Sequence, residues 1–186
     1  MNHKFSLLLL TSLSLLTGCK EKKQTTDIIA ATVETPKPTA PIRMQPYHDL
    51  RQVQWLGKSY EIEINREPSD SLPMVKDETG QQFVDNIIRL TIRRADGTVA
   101  ISKKFVKGTF DAYIDKHYRQ QGIMEGFVFD EVDGNSIEFA ASVSLPQTDE
   151  YIPLEVDIDN FGKVSIKRDS EMDTSGDDRT DDDDEV

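Results

Sequence analysis

The sequence predicts an α+β fold that is mostly β: a curved antiparallel sheet or partly open barrel of about seven strands with one helix, the alternative being a two-sheet β-sandwich. Three observations lead to this prediction. Several segments alternate apolar and polar residues with the period of two that half-buried strands show. Short turn sequences such as Asp96-Gly97 join them, which favours hairpins and antiparallel pairing. Only one segment has the spacing of an amphipathic helix.

The first three predicted strands lie at 59–65, 88–92 and 99–105. In the first of them, Tyr60, Ile62 and Ile64 alternate with polar residues. A loop from 67 to about 82 follows, because its prolines interrupt a strand. Asp96-Gly97 favours a tight turn, so the second and third strands are predicted to form a hairpin.

One helix is predicted from 109 to 121. Thr109 is a suitable N-cap, and Gly122 is a suitable C-terminal stop. Four apolar or aromatic residues share one helical face: Phe110, Tyr113, Ile114 and Tyr118. We expect this face to cover the core of the sheet.

Four further strands are predicted after the helix, at 127–130, 137–143, 154–158 and 164–166. Turn sequences containing Gly134 and Gly162 connect the first and the last pairs. A polar loop at 146–153 joins the two pairs.

The N-terminus is interpreted as a secretion signal over 1–18. Its apolar run, 5–16, is too short to span a bilayer core of ~30 Å. The run ends Leu16-Thr17-Gly18-Cys19, which resembles the lipobox of bacterial lipoproteins. This resemblance implies that Cys19 becomes a lipidated N-terminus. The alternative is an ordinary secretory signal followed by a stray cysteine.

The remaining chain divides into three parts: a lipidated, proline-rich tether at 19–46, a single antiparallel β-rich domain at 47–168, and an acidic, disordered tail at 169–186. The tail contains ten acidic residues and one arginine, a net charge of −9. We interpret it as solubilising. Weak cation binding and docking to a basic partner are the alternatives.

Composition excludes several classes of function. A formal net charge of −12 and a pI near 4.7 argue against nucleic-acid binding. One cysteine excludes an internal disulfide framework and cysteine-based metal clusters. No catalytic or phosphate-binding motif occurs, and we expect no metal and no cofactor. His117 is interpreted as a boundary residue of the helix, and Glu61 and Glu63 as a solvated strand face.

Segments from 60 to 176 carry a family resemblance. They comprise 66–77, 83–86, 132–134, 139–143, 146–151 and 172–176. These segments resemble a family of small lipoproteins of the Bacteroidota that is catalogued as a domain of unknown function. The resemblance implies a location and a fold kinship, but no activity.

Two classes of function are compatible with the sequence. The first is a non-enzymatic binding or structural module of the cell envelope, anchored to the membrane through Cys19. Its partner would be an envelope protein, a peptide or a glycan. The second is an envelope hydrolase that uses a carboxylate pair. We favour the first, with the anchor in the outer membrane and the periplasmic face preferred to the cell surface.

Two loops are candidate binding loops, because polar and aromatic groups on a rigid scaffold commonly contact ligands. One runs from 70 to 82. The other contains the candidate binding residues Gln147, Asp149, Glu150 and Tyr151. No catalytic residue is predicted.

Overall fold

The computed structural model describes residues 40–169. Three predicted segments lie outside these residues: the leader with Leu16, Thr17, Gly18 and Cys19, most of the tether, and the tail from 170 onward. Within the described part, no helix has the length and apolar character needed to cross a membrane.

The described residues form ten strands, one short α-helix and one 3₁₀ turn. The strands are β1 (Tyr47–Trp55), β2 (Lys58–Pro68), β3 (Val75–Lys76), β4 (Gln82–Phe83), β5 (Asn86–Arg94), β6 (Val99–Phe105), β7 (Ile123–Asp133), β8 (Ser136–Ser144), β9 (Tyr151–Asp159) and β10 (Val164–Arg168). The 3₁₀ turn covers Lys107–Phe110 and helix α1 covers Lys116–Gln121.

The long strands form two antiparallel four-stranded sheets. The first has the order β1-β2-β5-β6 and the second the order β10-β9-β8-β7, while β3 and β4 form a separate small hairpin. Neither sheet closes into a barrel within residues 40–169. The prediction of a mostly β, antiparallel fold with one helix is confirmed.

One apolar core lies between the two sheets. It receives alternate residues of the strands, for example Ile62 and Ile64 from β2 and Phe139 from β8, all fully buried. Phe127 on β7 stacks on Phe105 of the first sheet at 4.9 Å and on Phe139 of the second at 5.2 Å. Strand β7 therefore pairs through its backbone with β8 of the second sheet and contacts the first sheet through aromatic side chains.

The helical region differs from the prediction. The chain makes the 3₁₀ turn first, and α1 begins only after Asp115, whose carboxylate accepts hydrogen bonds from the backbone N–H groups of His117 and Tyr118 at 2.8 and 3.1 Å. An aspartate cap satisfies two otherwise unpaired N–H groups, whereas Thr109 accepts only from the N–H of Val106. The helix ends at Gly122, as expected, but in an extended conformation.

Part of the predicted tether belongs to the fold. Ile42 forms a parallel bridge with Phe83, and Arg43 pairs with Asp70 at 2.5 Å. Met44 packs beside the small apolar cluster that contains Phe83. The chain thus joins the domain a few residues before β1, at the β3–β4 hairpin.

Candidate functional site

A groove of about 530 Å³ lies between the β3–β4 turn, helix α1 and the β8–β9 loop. These segments are far apart in sequence, and two of them are the polar loops that the sequence singled out. The lining residues are Asp77, Glu78, Thr79, His117, Gln121, Leu145, Pro146, Gln147, Thr148 and Glu150.

The β3–β4 turn is rigidly built around Asp77. One carboxylate oxygen of Asp77 accepts hydrogen bonds from the N–H and hydroxyl of Thr79 at 2.9 and 2.7 Å, and from the N–H of Gln81 at 2.9 Å. Gly80 completes the turn with a φ of 86°, which glycine adopts without steric cost. The hydroxyl of Thr79 holds the pKa of Asp77 below its usual value, so this carboxyl contributes a negative charge to the groove.

The opposite wall is the β8–β9 loop, which is also held by internal hydrogen bonds. The N–H of Leu145 donates to the carbonyl of Glu150 at 2.9 Å, and the hydroxyl of Thr148 donates to the carbonyl of Leu145 at 3.0 Å. Gln147 has a φ of 62°, a left-handed conformation that is uncommon for a residue other than glycine, asparagine or aspartate. In this strained conformation the side chain of Gln147 is exposed at the rim of the groove.

The predicted binding residues fall on two sides of this loop. Gln147 and Glu150 line the groove, while Asp149, Glu150 and Tyr151 line a neighbouring depression of about 350 Å³. Tyr151 is 48 % exposed at the start of β9. The sequence favoured a boundary residue on the helix over a catalytic base for His117, and the structure shows that His117 lines the groove from α1.

The charge of the groove is negative. Asp77, Glu78 and Glu150 contribute carboxylates, and neither lysine nor arginine is among the lining residues. Leu145 and Pro146 supply a small apolar surface. A groove of this composition is suited to a ligand that carries positive charge beside a short apolar segment.

A second cavity, of about 370 Å³, is bordered by a buried ion pair that the sequence did not reveal. The ammonium of Lys107 lies 3.7 Å from a carboxylate oxygen of Asp85, and their side chains are 14 % and 6 % exposed. Burial raises the pKa of Asp85 and lowers the pKa of Lys107, although each charge partly offsets the shift of the other. The neighbouring Asn86 is fully buried and has an unpaired carbonyl oxygen.

Three carboxylates on the outer face of the second sheet could hold a cation. Glu138, Glu155 and Asp157 have ligand oxygens within 4.8 Å of one another. Burial raises the pKa of Glu138 and of Asp157, and neighbouring carboxylates raise both further. Glu155 is already paired with Lys167 at 2.6 Å. None of the three lines the groove, the neighbouring depression or the second cavity.

Glu61 and Glu63, the carboxylate pair considered from the sequence, have polar neighbours on the first sheet. Glu61 accepts a hydrogen bond from Gln52 at 2.9 Å. Glu63 accepts one from Asn65 at 3.1 Å, which lowers the pKa of Glu63. A carboxyl held ionised in this way is unsuited to donate a proton as a general acid.

Comparison with known proteins identifies a family for this chain. The model of the family Domain of unknown function (DUF4738) matches residues 26–166. A search of curated proteins finds no match. The matched range includes all ten strands of the domain except the last two residues of β10.

Proposed function

The chain belongs to the DUF4738 family, a domain of unknown function, and we propose that it is a membrane-anchored lipoprotein of the bacterial cell envelope whose domain binds a partner without catalysis. The anchor is Cys19, and the binding site is the groove between the β3–β4 turn, α1 and the β8–β9 loop. The partner is a basic segment of an envelope protein or peptide.

The anchor is supported by the sequence Leu16-Thr17-Gly18-Cys19 after a short apolar run. Small residues before the cysteine allow close approach of processing enzymes. Each buried CH₂ of an acyl chain contributes ~0.8 kcal/mol, so several acyl chains would hold the protein stably. We place the anchor in the outer membrane with the domain on its periplasmic face, since the residues after Cys19 mix lysine and glutamate.

One observation carries the binding proposal: the hairpin that forms one wall of the groove also receives the incoming tether. The N–H of Ile42 donates to the carbonyl of Gln82 at 2.9 Å, and the N–H of Val84 donates to the carbonyl of Ile42 at 2.9 Å. The groove therefore lies at the end of the domain to which the tether connects. An extended tether of residues 20–39 would reach ~60 Å at ~3.1 Å per residue, which sets how far from the membrane a partner is held.

A non-enzymatic role is supported by how the carboxyls are arranged. Hydrolysis by a carboxylate pair needs two carboxyls in one cleft, one of them protonated. In the groove, Asp77 is held ionised by its hydrogen bonds. In the second cavity, the raised pKa of Asp85 occurs beside a lysine instead of a second carboxyl. Glu138 and Asp157 lie on an open sheet face. These arrangements favour binding.

The anchor is tested by Cys19→Ala, with Ser12→Ala in the leader as the matched control. We expect the unaltered chain and Ser12→Ala to incorporate labelled palmitate and to fractionate with the outer membrane. Cys19→Ala should lose the label. Equal labelling of Cys19→Ala would disprove the anchor.

The groove is tested with a short lysine-rich peptide, a glutamate-rich peptide of equal length, and amide chemical shifts of the protein. We expect the basic peptide alone to shift the amides of the β3–β4 turn and the β8–β9 loop. Glu78→Lys with Glu150→Lys should abolish these shifts, whereas Asp130→Lys on exposed β7 should not. Shifts spread over all acidic surfaces would contradict a specific groove.

A further inference from the structure

A second groove, of about 750 Å³, lies between the edge strands β6 and β10. We propose that the acidic C-terminal segment of this chain, residues 170–186, docks over this groove and covers the two open strand edges. The inference is independent of the function proposed for the first groove.

In the described residues, both strands have a neighbouring strand on one side only. In the described part of the chain, β6 pairs with β5 alone and β10 pairs with β9 alone. The other two edge strands, β1 and β7, contact each other, and the guanidinium of Arg51 lies 5.0 Å from the ring centre of Phe129. Open edges are templates for pairing with another chain, and proteins commonly protect them.

The groove is basic with an apolar floor. Its lining consists of Lys103, Lys104, Phe105, Thr109, Ala112, Tyr113, Val164, Ser165 and Ile166. Two of these residues are lysines and none is acidic. Phe105 is buried in the core, and Tyr113, Val164 and Ile166 pack against that core while remaining partly accessible.

Lys103 is placed to attract an anion into the groove. It lies on the same face of β6 as the buried residues Ile101 and Phe105, so its charge points inward at an edge. Its ammonium lies close to Gly162 in the β9–β10 turn. The distance from the ammonium nitrogen to the position that a Cβ atom would take on Gly162 is 3.9 Å. The acid of that turn, Asp159, uses one oxygen for the N–H groups of Phe161 and Lys163, at 2.9 and 2.8 Å.

The C-terminal segment starts beside this groove and has the opposite charge. Asp169 follows β10 directly, and its N–H donates to the carbonyl of Pro153 at 3.1 Å. Only about 10 Å of extended chain separates it from Ile166 in the groove. Residues 170–186 hold nine acidic residues and one arginine. A short connection of this kind gives the segment an effective concentration of about millimolar at the groove, so that even weak contacts between the two can form.

Charge complementarity, not strand pairing, would hold the segment. Aspartate is disfavoured in strands, and this segment offers few apolar side chains. Contacts with Lys103 and Lys104 would place a negatively charged chain over both edges. A second copy approaching edge to edge would then meet repulsion and no free edge.

The test measures the distance from the segment to the groove with a spin label. The full chain carrying Cys19→Ala and Ser175→Cys is labelled at position 175 in neutral detergent micelles. We expect amides of 103–105 and 164–166 to lose most of their signal through paramagnetic broadening, and to recover it in about 1 M NaCl, where the Debye length is about 3 Å. Lys103→Gln with Lys104→Gln should also restore these signals, while the control Lys58→Gln should not.

Three results would overturn the proposal. The first is broadening spread evenly over the domain, and the second is broadening of the groove that persists in both high salt and the paired lysine variant. The third comes from mixing labelled chains with isotopically enriched, unlabelled chains: broadening in that mixture would assign the groove to a second copy. The salt comparison uses the unaltered groove, so the test does not depend on the folding of the lysine variant.

Discussion

Asp85 and Lys107 connect three parts of the fold through one buried ion pair. Asp85 precedes β5 and accepts a hydrogen bond from the N–H of Met124, at 2.8 Å, near the start of β7. Lys107 follows β6 and donates to the carbonyl of Gly122 at 2.6 Å. The pair therefore links the first sheet to the strand that begins the second sheet.

Asp85→Ala should lower the free energy of unfolding by about 3–5 kcal/mol, because it leaves the charge of the buried Lys107 ammonium without its carboxylate partner. Urea unfolding measures this loss. The matched control is Glu67→Ala, which removes an ion pair with Arg89 whose side chains are more than half exposed. We expect the control to cost less than about 1 kcal/mol. Equal losses for both variants would contradict a structural role specific to the buried pair.

The pH dependence of stability should depend on Asp85. The folded-state pKa of Asp85 is raised above the ordinary value of 3.8. The contribution of this group to stability is therefore fully present below pH 3.8, and it is lost as the pH rises through the raised pKa. Asparagine does not titrate. The free energy of unfolding of the unaltered chain should therefore increase relative to that of Asp85→Asn as the pH falls from 7 towards 3.8. A difference that is constant with pH would show that the pKa of Asp85 is not raised.

The strands with clear alternation were predictable from the sequence, whereas β1 was not. In β1 only Trp55 is fully buried, and Leu50 is 52 % exposed, so the segment has no regular apolar period. Its turn uses Leu56 and Gly57 with φ values of 53° and 70°, and leucine is an unusual residue for the first of these positions. Pairing with β2 along its whole length determines this strand, and such cross-strand pairing leaves no periodic apolar pattern within the segment itself.

The candidate site was predictable only in its loops. Polar composition identified 70–82 and the segment around Gln147, and the structure places parts of both loops at one groove. Nothing local indicated that His117 would join them, because its position depends on Asp115 capping a later and shorter helix than predicted. Asp85 likewise lacks a local signal, since its burial comes from β7 and from the chain after β6.

Glu138→Gln should stabilise the protein at neutral pH. Glu138 lies directly opposite Asp157 in the β8–β9 register, and like charges at opposed positions destabilise a sheet by about 0.2–1 kcal/mol. The pKa of Glu138 is raised. The contribution of Glu138 to stability is therefore fully present below pH 4.5 and is lost as the pH rises through the raised pKa. The gain should therefore be present at pH 7 and absent near pH 4 in urea unfolding. Asp130→Asn, exposed on β7, is the control and should change little.

Gln147→Gly should separate stability from binding at the groove. Glycine adopts a φ of 62° freely, whereas a side chain in this left-handed region costs about 1–2 kcal/mol, so we expect a gain of about 1 kcal/mol in the free energy of unfolding. The same change removes the exposed amide from the rim and loosens the β8–β9 loop. Amide shifts induced by the lysine-rich peptide should therefore weaken although the protein is more stable. The control Gly80→Ala, which imposes a side chain at a φ of 86° across the groove, should lower stability. Loss of stability in Gln147→Gly would show that contacts of the glutamine side chain outweigh the strain of its backbone.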